Sequence, residues 1–193
     1  HDPRMWRVLH HWVEQARERA DYADVKRVAI DETAARRGHD YVSLFVDIDQ
    51  RRVLFVTEGR GADTVAAFAD DLEAHNGDAS RVKQVCIDMS AAFIKGVTDN
   101  LTEAEITFDK FHAVKLVNDA VDKVRRAEAE GRPELKRSRY LWLRNEPSLS
   151  AEGRANLQAL TRLHLKTARA YQIRLAFQEI YQQPSWQWGA LFL

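Results

Sequence analysis

Apolar and polar positions fall in blocks along this chain, and the period of each block predicts an element. Trp6, Leu9, Val13 and Ala16 recur at helical spacing, which predicts a leading amphipathic helix from Trp6 to about Ala23. Val25-Lys26-Arg27-Val28-Ala29-Ile30-Asp31 is a mostly apolar, β-branched run and reads as a buried strand. Tyr41 to Ile48 alternates, with Val42, Leu44, Val46 and Ile48 on one face. Arg52 to Thr57 follows after only Asp49, Gln50 and Arg51. Connections this short make antiparallel neighbours, so the three strands form a meander. Past Gly59-Arg60-Gly61, the residues Val65, Phe68, Ala69 and Leu72 mark one face of a helix that stops near Asn76-Gly77. Val82 to Asp88 is a fourth strand, Phe93, Ile94 and Val97 mark a short helix, and Ile106 with Phe108 marks a fifth strand.

From there the pattern is helical. Phe111, Val114, Val117, Val121 and Val124 repeat at spacings of three and four, predicting a long helix that closes at Gly131-Arg132-Pro133, with Asp109 placed as its N-cap. Leu135 to Leu143 reads as a further helix, broken by Asn145-Glu146-Pro147-Ser148. Ser150 is placed to cap a helix from Ala151 toward Leu160, and a longer one spans Leu165 to Gln182. The result is an α/β fold: a mixed five-stranded sheet flanked by helices over 25–130, a leading helix over 1–24, and a C-terminal all-helical region over 131–193. The fourth strand is reached through a crossover helix, so it can run parallel to the first.

Composition narrows this picture. At 193 residues, 45% hydrophobic and 30% charged, the chain has the make-up of a folded domain rather than a disordered one. No apolar run approaches the ~20 residues needed to cross a bilayer, and the N-terminus resembles no signal peptide, so no membrane partner is expected. Trp186-Gln187-Trp188-Gly189-Ala190-Leu191-Phe192-Leu193 stops abruptly on apolar residues, which reads as a chain cut from a longer polypeptide. The lone Cys86 excludes an internal disulfide and fits a reducing, cytoplasmic setting. Its strand position reads as core. Net charge is zero, but residues 1–109 hold 21 acidic and 14 basic side chains while residues 110–193 hold 8 and 15. That asymmetry points to an anionic partner for the second stretch, or to the two stretches neutralising one another.

The strongest chemical signal is a repetition. Two strands stop on the same dipeptide, Ile30-Asp31 and Ile87-Asp88. An aspartate there can simply cap the following turn or helix. On neighbouring parallel strands, however, the two would emerge side by side at the carboxyl ends, where open α/β sheets build sites. Two close carboxylates repel unless a cation lies between them. Mg²⁺ suits such a pair because it takes one or two protein carboxylates and draws other ligands from water and phosphate. The chemistry this permits is phosphodiester cleavage or transfer, with the basic stretch contacting phosphates.

These residues also carry a resemblance. Ile30-Asp31-Glu32, Arg36-Arg37-Gly38-His39-Asp40-Tyr41, Val46-Asp47-Ile48-Asp49 and Arg51-Arg52-Val53 resemble the opening of the catalytic domain of DDE-type bacterial insertion-sequence transposases of the ISL3 family. The similarity continues through Cys86-Ile87-Asp88-Met89-Ser90-Ala91-Ala92-Phe93, Phe108-Asp109-Lys110-Phe111-His112, Tyr140-Leu141-Trp142-Leu143-Arg144-Asn145, Leu157 to Leu163 and Ala168-Arg169-Ala170-Tyr171. It implies a ribonuclease-H-like fold with a helical insertion, in which Asp31 and Asp88 are catalytic acids holding Mg²⁺ or Mn²⁺ in a two-ion site. It implies DNA, both transposon ends and target, as partner, action as a homo-oligomer, and a bacterial, nucleoid-associated location. The reaction implied is hydrolysis at transposon ends followed by strand transfer. The family's third acid, a glutamate, is expected beyond residue 193, so the chain alone is expected to be inactive. Another ribonuclease-H-like nuclease and a non-catalytic DNA-binding remnant are the competing readings.

Other candidates have two readings each. Glu32 could orient water or be an exposed turn carboxylate. Arg36, Arg37 and His39 could grip phosphate or lie on a solvated loop. Lys136, Arg137, Arg139 and Arg144 could contact the DNA backbone or form a solvated helical face. His112 reads as packing, and Trp142, Trp186 and Trp188 as core or interface rather than base-stacking platforms.

Overall fold

Three hairpin-linked strands and two crossovers make a single sheet whose order is β3-β2-β1-β4-β5 in the computed structural model, which describes residues 3–36 and 40–183. The chain divides into two compact units, His1–Asp109 and Lys110–Leu193. In the first, α1 (Pro3–Glu18) leads into β1 (Arg27–Ala34), β2 (Tyr41–Asp47) and β3 (Arg52–Glu58), an antiparallel meander. Helix α2 (Ala62–Ala74) then crosses to β4 (Gln84–Ile87), and α3 (Ala91–Asn100) to β5 (Glu105–Phe108). These crossovers leave β1, β4 and β5 parallel. Sheet order and strand directions are those of the ribonuclease-H-like fold, with the expected mixed five-stranded sheet flanked by helices.

One face of the sheet makes the core. Val28 and Ile30 of β1, Phe45 of β2, Leu54 of β3 and Val85 and Ile87 of β4 are buried with Val65, Phe68 and Leu72 of α2 and Phe93 and Val97 of α3. The rings of Phe45 and Phe68 stack with centroids 4.4 Å apart. Helices α2 and α3 approach closely at Gly96, where a Cβ would lie 2.7 Å from Val65 Cγ2.

Several expectations shift in detail. β1 does not stop at Asp31: it pairs with β2 as far as Ala34↔Tyr41, after its pairing with β4 has ended at Ala29↔Cys86. In β2 the fully buried face is Ser43, Phe45 and Asp47, because Phe45 must meet Phe68; Val42, Leu44 and Val46 are half-buried on the other. Cys86 likewise alternates out of the core and is half-buried on the open face. Glu32 is a strand residue, half-buried, rather than a turn carboxylate.

The second unit is α4 (Lys110–Glu128), α5 (Arg139–Leu143), α6 (Ala151–Thr161) and α7 (Lys166–Ile180). Its core gathers Val121, Leu135, Trp142, Leu149, Leu157, Leu165 and Tyr171. The fully buried Trp142 donates its Nε1–H to Ser138 Oγ at 3.0 Å. The expected helix over Leu135–Leu143 is shorter: Pro133–Leu135 is a single tight turn and α5 begins only at Arg139. α4 keeps most of its apolar stripe inward, with Val121 buried and Val114, Val117 and Val124 half-buried, but polar residues share that side. Phe111 is 70% exposed, while Asp122 and Arg125 face inward because each finds charged partners there. Ser150 caps α6, its Oγ accepting from Gly153 N–H at 3.1 Å. Among the described residues no helix is long and apolar enough to cross a membrane.

Candidate active site

Register places the acids. β1 and β4 pair Val28↔Val85 and Ala29↔Cys86. Carried two residues further along both chains, that register sets Asp31 level with Asp88. Side chains alternate across a sheet. Val28, Ile30, Val85 and Ile87 all point into the core, so Asp31 and Asp88 leave together on the opposite face. Asp31 is exposed and its Oδ1 accepts from Glu32 N–H at 2.8 Å. Asp88 is half-buried and its Oδ1 accepts from Ser90 N–H at 2.9 Å, closing the turn into α3. Asp88 thus caps the turn into α3 with one carboxylate oxygen.

The ladder continues to a third carboxylate. β4 and β5 pair Cys86↔Thr107 and Ile87↔Phe108, and Asp109 N–H donates to Ile87 O at 2.8 Å. Asp109 thus follows β5 at the level of Asp88. Burial pushes the Cys86 thiol up from its usual pKa, and the Asp109 carboxylate adds to that push. The sequence pattern showed Asp109 only as a cap; its signal was its place one residue after a strand parallel to the other two.

Arg60 lies in the turn from β3 to α2. β3 ends opposite the start of β2 (Glu58↔Val42), at the same end of the sheet where β1 runs past Asp31. Gly59 there has φ +99°, a left-handed conformation suited to glycine, and its N–H donates to Tyr41 O at 2.7 Å. This turn lays the Arg60 guanidinium 4.3 Å from the centre of the Tyr41 ring and 3.8 Å from Glu32 Oε1. The flanking glycines were the available clue.

The remaining candidates scatter. Arg36 is exposed beyond β1 and lines a pocket of about 440 Å³ with Asp40, Tyr41, Glu58 and Gly59. Arg37 and His39 lie outside the described residues, as do Trp186 and Trp188. Lys136, Arg137, Arg139 and Arg144 are exposed in the second unit. Arg139 pairs with Asp122 at 3.5 Å, and Arg144 lies over the Tyr140 ring at 5.4 Å. Arg137 has φ +62°, an uncommon conformation for a bulky residue. Half-buried His112 meets the Phe111 ring edge-on, centroids 5.5 Å apart.

What the pair can do follows from its donors. Aspartate oxygens are hard ligands, and two of them on one face suit a small divalent cation that keeps several waters. The residues present therefore fit such an ion in part. Among the described residues no group of three or more His, Cys, Asp or Glu side chains is gathered closely enough to hold a metal.

Comparison with known proteins adds to this geometry. A family model of the DDE ISL3 type, described as "Transposase", matches residues 28–193. The transposase for insertion sequence element IS1001 of Bordetella parapertussis is 32% identical over 176 residues, covering 86% of this chain and 43% of that protein. The transposase for IS1557 of Mycobacterium tuberculosis is 27% identical over 152 residues, covering 79% of this chain and 34% of that protein. The chain thus spans less than half the length of these curated relatives. Among solved structures, the HTLV-2 integrase catalytic core domain in complex with magnesium, in its dimeric form, is 12% identical with a TM-score of 0.35. It covers 77% of this chain and 96% of that one, a likeness too distant to carry an argument.

Proposed function

Because this chain belongs to the ISL3 family of DDE transposases, we propose that Asp31 and Asp88 are two of the acids with which the enzyme cuts and rejoins DNA at transposon ends. What supports this reading is the parallel register of β1 and β4, Val28↔Val85 and Ala29↔Cys86, which, continued by two residues, brings both acids level on one face. Asp31 and Asp88 would hold Mg²⁺ or Mn²⁺, and when bound such ions activate an attacking hydroxyl and stabilise the departing oxygen. Each acid is oriented by a neighbouring backbone N–H, from Glu32 or Ser90, which leaves its second oxygen for the site. Arg36 at the same end of the sheet neutralises phosphate, and Lys136, Arg137, Arg139 and Arg144 follow the DNA backbone. The substrate is DNA of the bacterial nucleoid, and the acting species is a multimer.

No described residue joins the pair as a third ligand. The 193-residue chain is therefore expected to bind Mn²⁺ weakly and to lack strand transfer. Calorimetric titration with Mn²⁺ should show binding that Asp31→Asn or Asp88→Asn abolishes. Binding unchanged in both variants would remove the acid pair from the account. DNA affinity should fall steeply with added salt, and a flat response would exclude backbone contacts.

A further inference from the structure

Helix α1 has no buried residue. Yet Met5, Leu9, Trp12 and Ala16 follow one another at spacings of four, three and four, the seam of a helix that packs lengthwise against another helix. Met5, Trp6, Val8, Leu9, Trp12 and Val13 are all exposed, with Trp12 at 62%. The helix is nonetheless held to the first unit at its C-terminal end. Arg17 Nη1 donates to Leu54 O at 2.9 Å, and its Nη2 pairs with Asp71. Just there the apolar stripe runs into a groove of about 880 Å³, lined among others by Val13, Ala16, Ala20, Tyr22, Val53 and Val56. β3 is the last strand of the sheet, and Val53 and Val56 on it are half-exposed or more.

We propose that this continuous surface, α1 with the outer strand β3, is a twofold interface on which a second copy of the chain docks through its own α1. Three observations select this occupant. The four-three spacing asks for a helix of matching spacing, and α1 supplies it to itself in a closed, self-complementary pairing. The positions flanking the seam, Trp6, Val8, Val13 and Gln15, carry no charge, so pairing two identical helices brings no like charges together there. Six large apolar side chains of α1, each about half exposed or more, adjoin Val53 and Val56 of β3, a continuous apolar patch of the kind monomers seldom leave in water. Tryptophans at the centre of such a patch are its anchors.

The inference rests on the multimer part of the proposed function and names its surface. It needs neither metal nor DNA, so its failure would leave the acid pair untouched. Sedimentation equilibrium of the 193-residue chain, without DNA or divalent ions, should give twice the chain mass at concentrations of tens of micromolar. Trp12→Asp and Leu9→Asp, both at exposed positions, should each weaken dimerisation at least about thirtyfold while circular dichroism stays unchanged. A second measurement is independent of these substitutions: Leu9→Cys should form an oxidative crosslink between copies. A monomeric wild-type chain would overturn the proposal, as would a dimer indifferent to both aspartate variants or a Leu9→Cys chain that does not crosslink.

Discussion

The two units of this chain bury charge to different extents. In the first, the core shared by the sheet, α2 and α3 is aliphatic and aromatic; Asp47 is buried at the end of β2, pairing with Arg52 at 3.4 Å, while Asp31 is exposed and Asp88 half-buried. In the second, charge is buried. Asp122, 7% exposed, accepts from Arg125 Nε at 2.9 Å and also pairs with Arg126 and Arg139. Arg174, 2% exposed, donates to Asn118 Oδ1 at 2.7 Å, Leu143 O at 2.9 Å and Asn145 Oδ1 at 3.1 Å. Burial lowers the Arg174 pKa. Glu128 reaches the start of α7 and accepts from Lys166 N–H, Thr167 N–H and Thr167 Oγ1. Buried charges with this many partners hold helices in place. Asp31 and Asp88 each accept from one neighbouring backbone N–H, a local turn contact that ties no two elements together.

That contrast makes mutational effects unequal. The largest is expected at Asp122→Ala, which leaves Arg125 buried without its anion and should cost about 3 kcal/mol or more, read as a lowered melting temperature. Asp31→Asn and Asp88→Asn should cost under about 1 kcal/mol in the same measurement, as near-surface substitutions do. Equal losses at Asp122 and Asp31 would break the comparison.

A smaller effect belongs to Glu128. Burial works to raise its pKa, but the hydrogen bonds from Thr167 and Lys166 outweigh it and hold the carboxyl below its usual range. A depressed carboxylate stabilises the fold above the ordinary carboxylate pKa, and that contribution is lost as pH falls through the depressed value. Glu128→Gln should therefore cost about 1 kcal/mol near neutrality, as loss of a helix cap does. Its deficit relative to wild type should shrink as the pH drops below about 4, the range in which carboxylates protonate. Smallest is Arg137→Gly. It relieves a left-handed φ at a cost in chain entropy, so stability should move by less than about 1 kcal/mol. The salt dependence of DNA binding should meanwhile lose roughly one phosphate contact.

Much of this was legible in the residues. The strands and both crossovers followed from the apolar runs and the lengths of chain between them, since a buried strand must be apolar. The misread elements share a cause: a tertiary partner overrode local pattern. β1 continues past Asp31 because β2 keeps pairing with it. α4 buries Asp122 and Arg125 beside Val121 because the two charges satisfy each other there. The places of Asp109 and Arg60 depend on strand register and on a turn over Tyr41, and neither leaves a periodic trace.

The most direct test of the acid pair is the anomalous scattering of Mn²⁺ in crystals of this chain. A peak shared by the carboxylates of Asp31 and Asp88, and lost in Asp88→Asn, is the result the account predicts. Manganese bound only elsewhere, with both aspartates turned away from it, would contradict it.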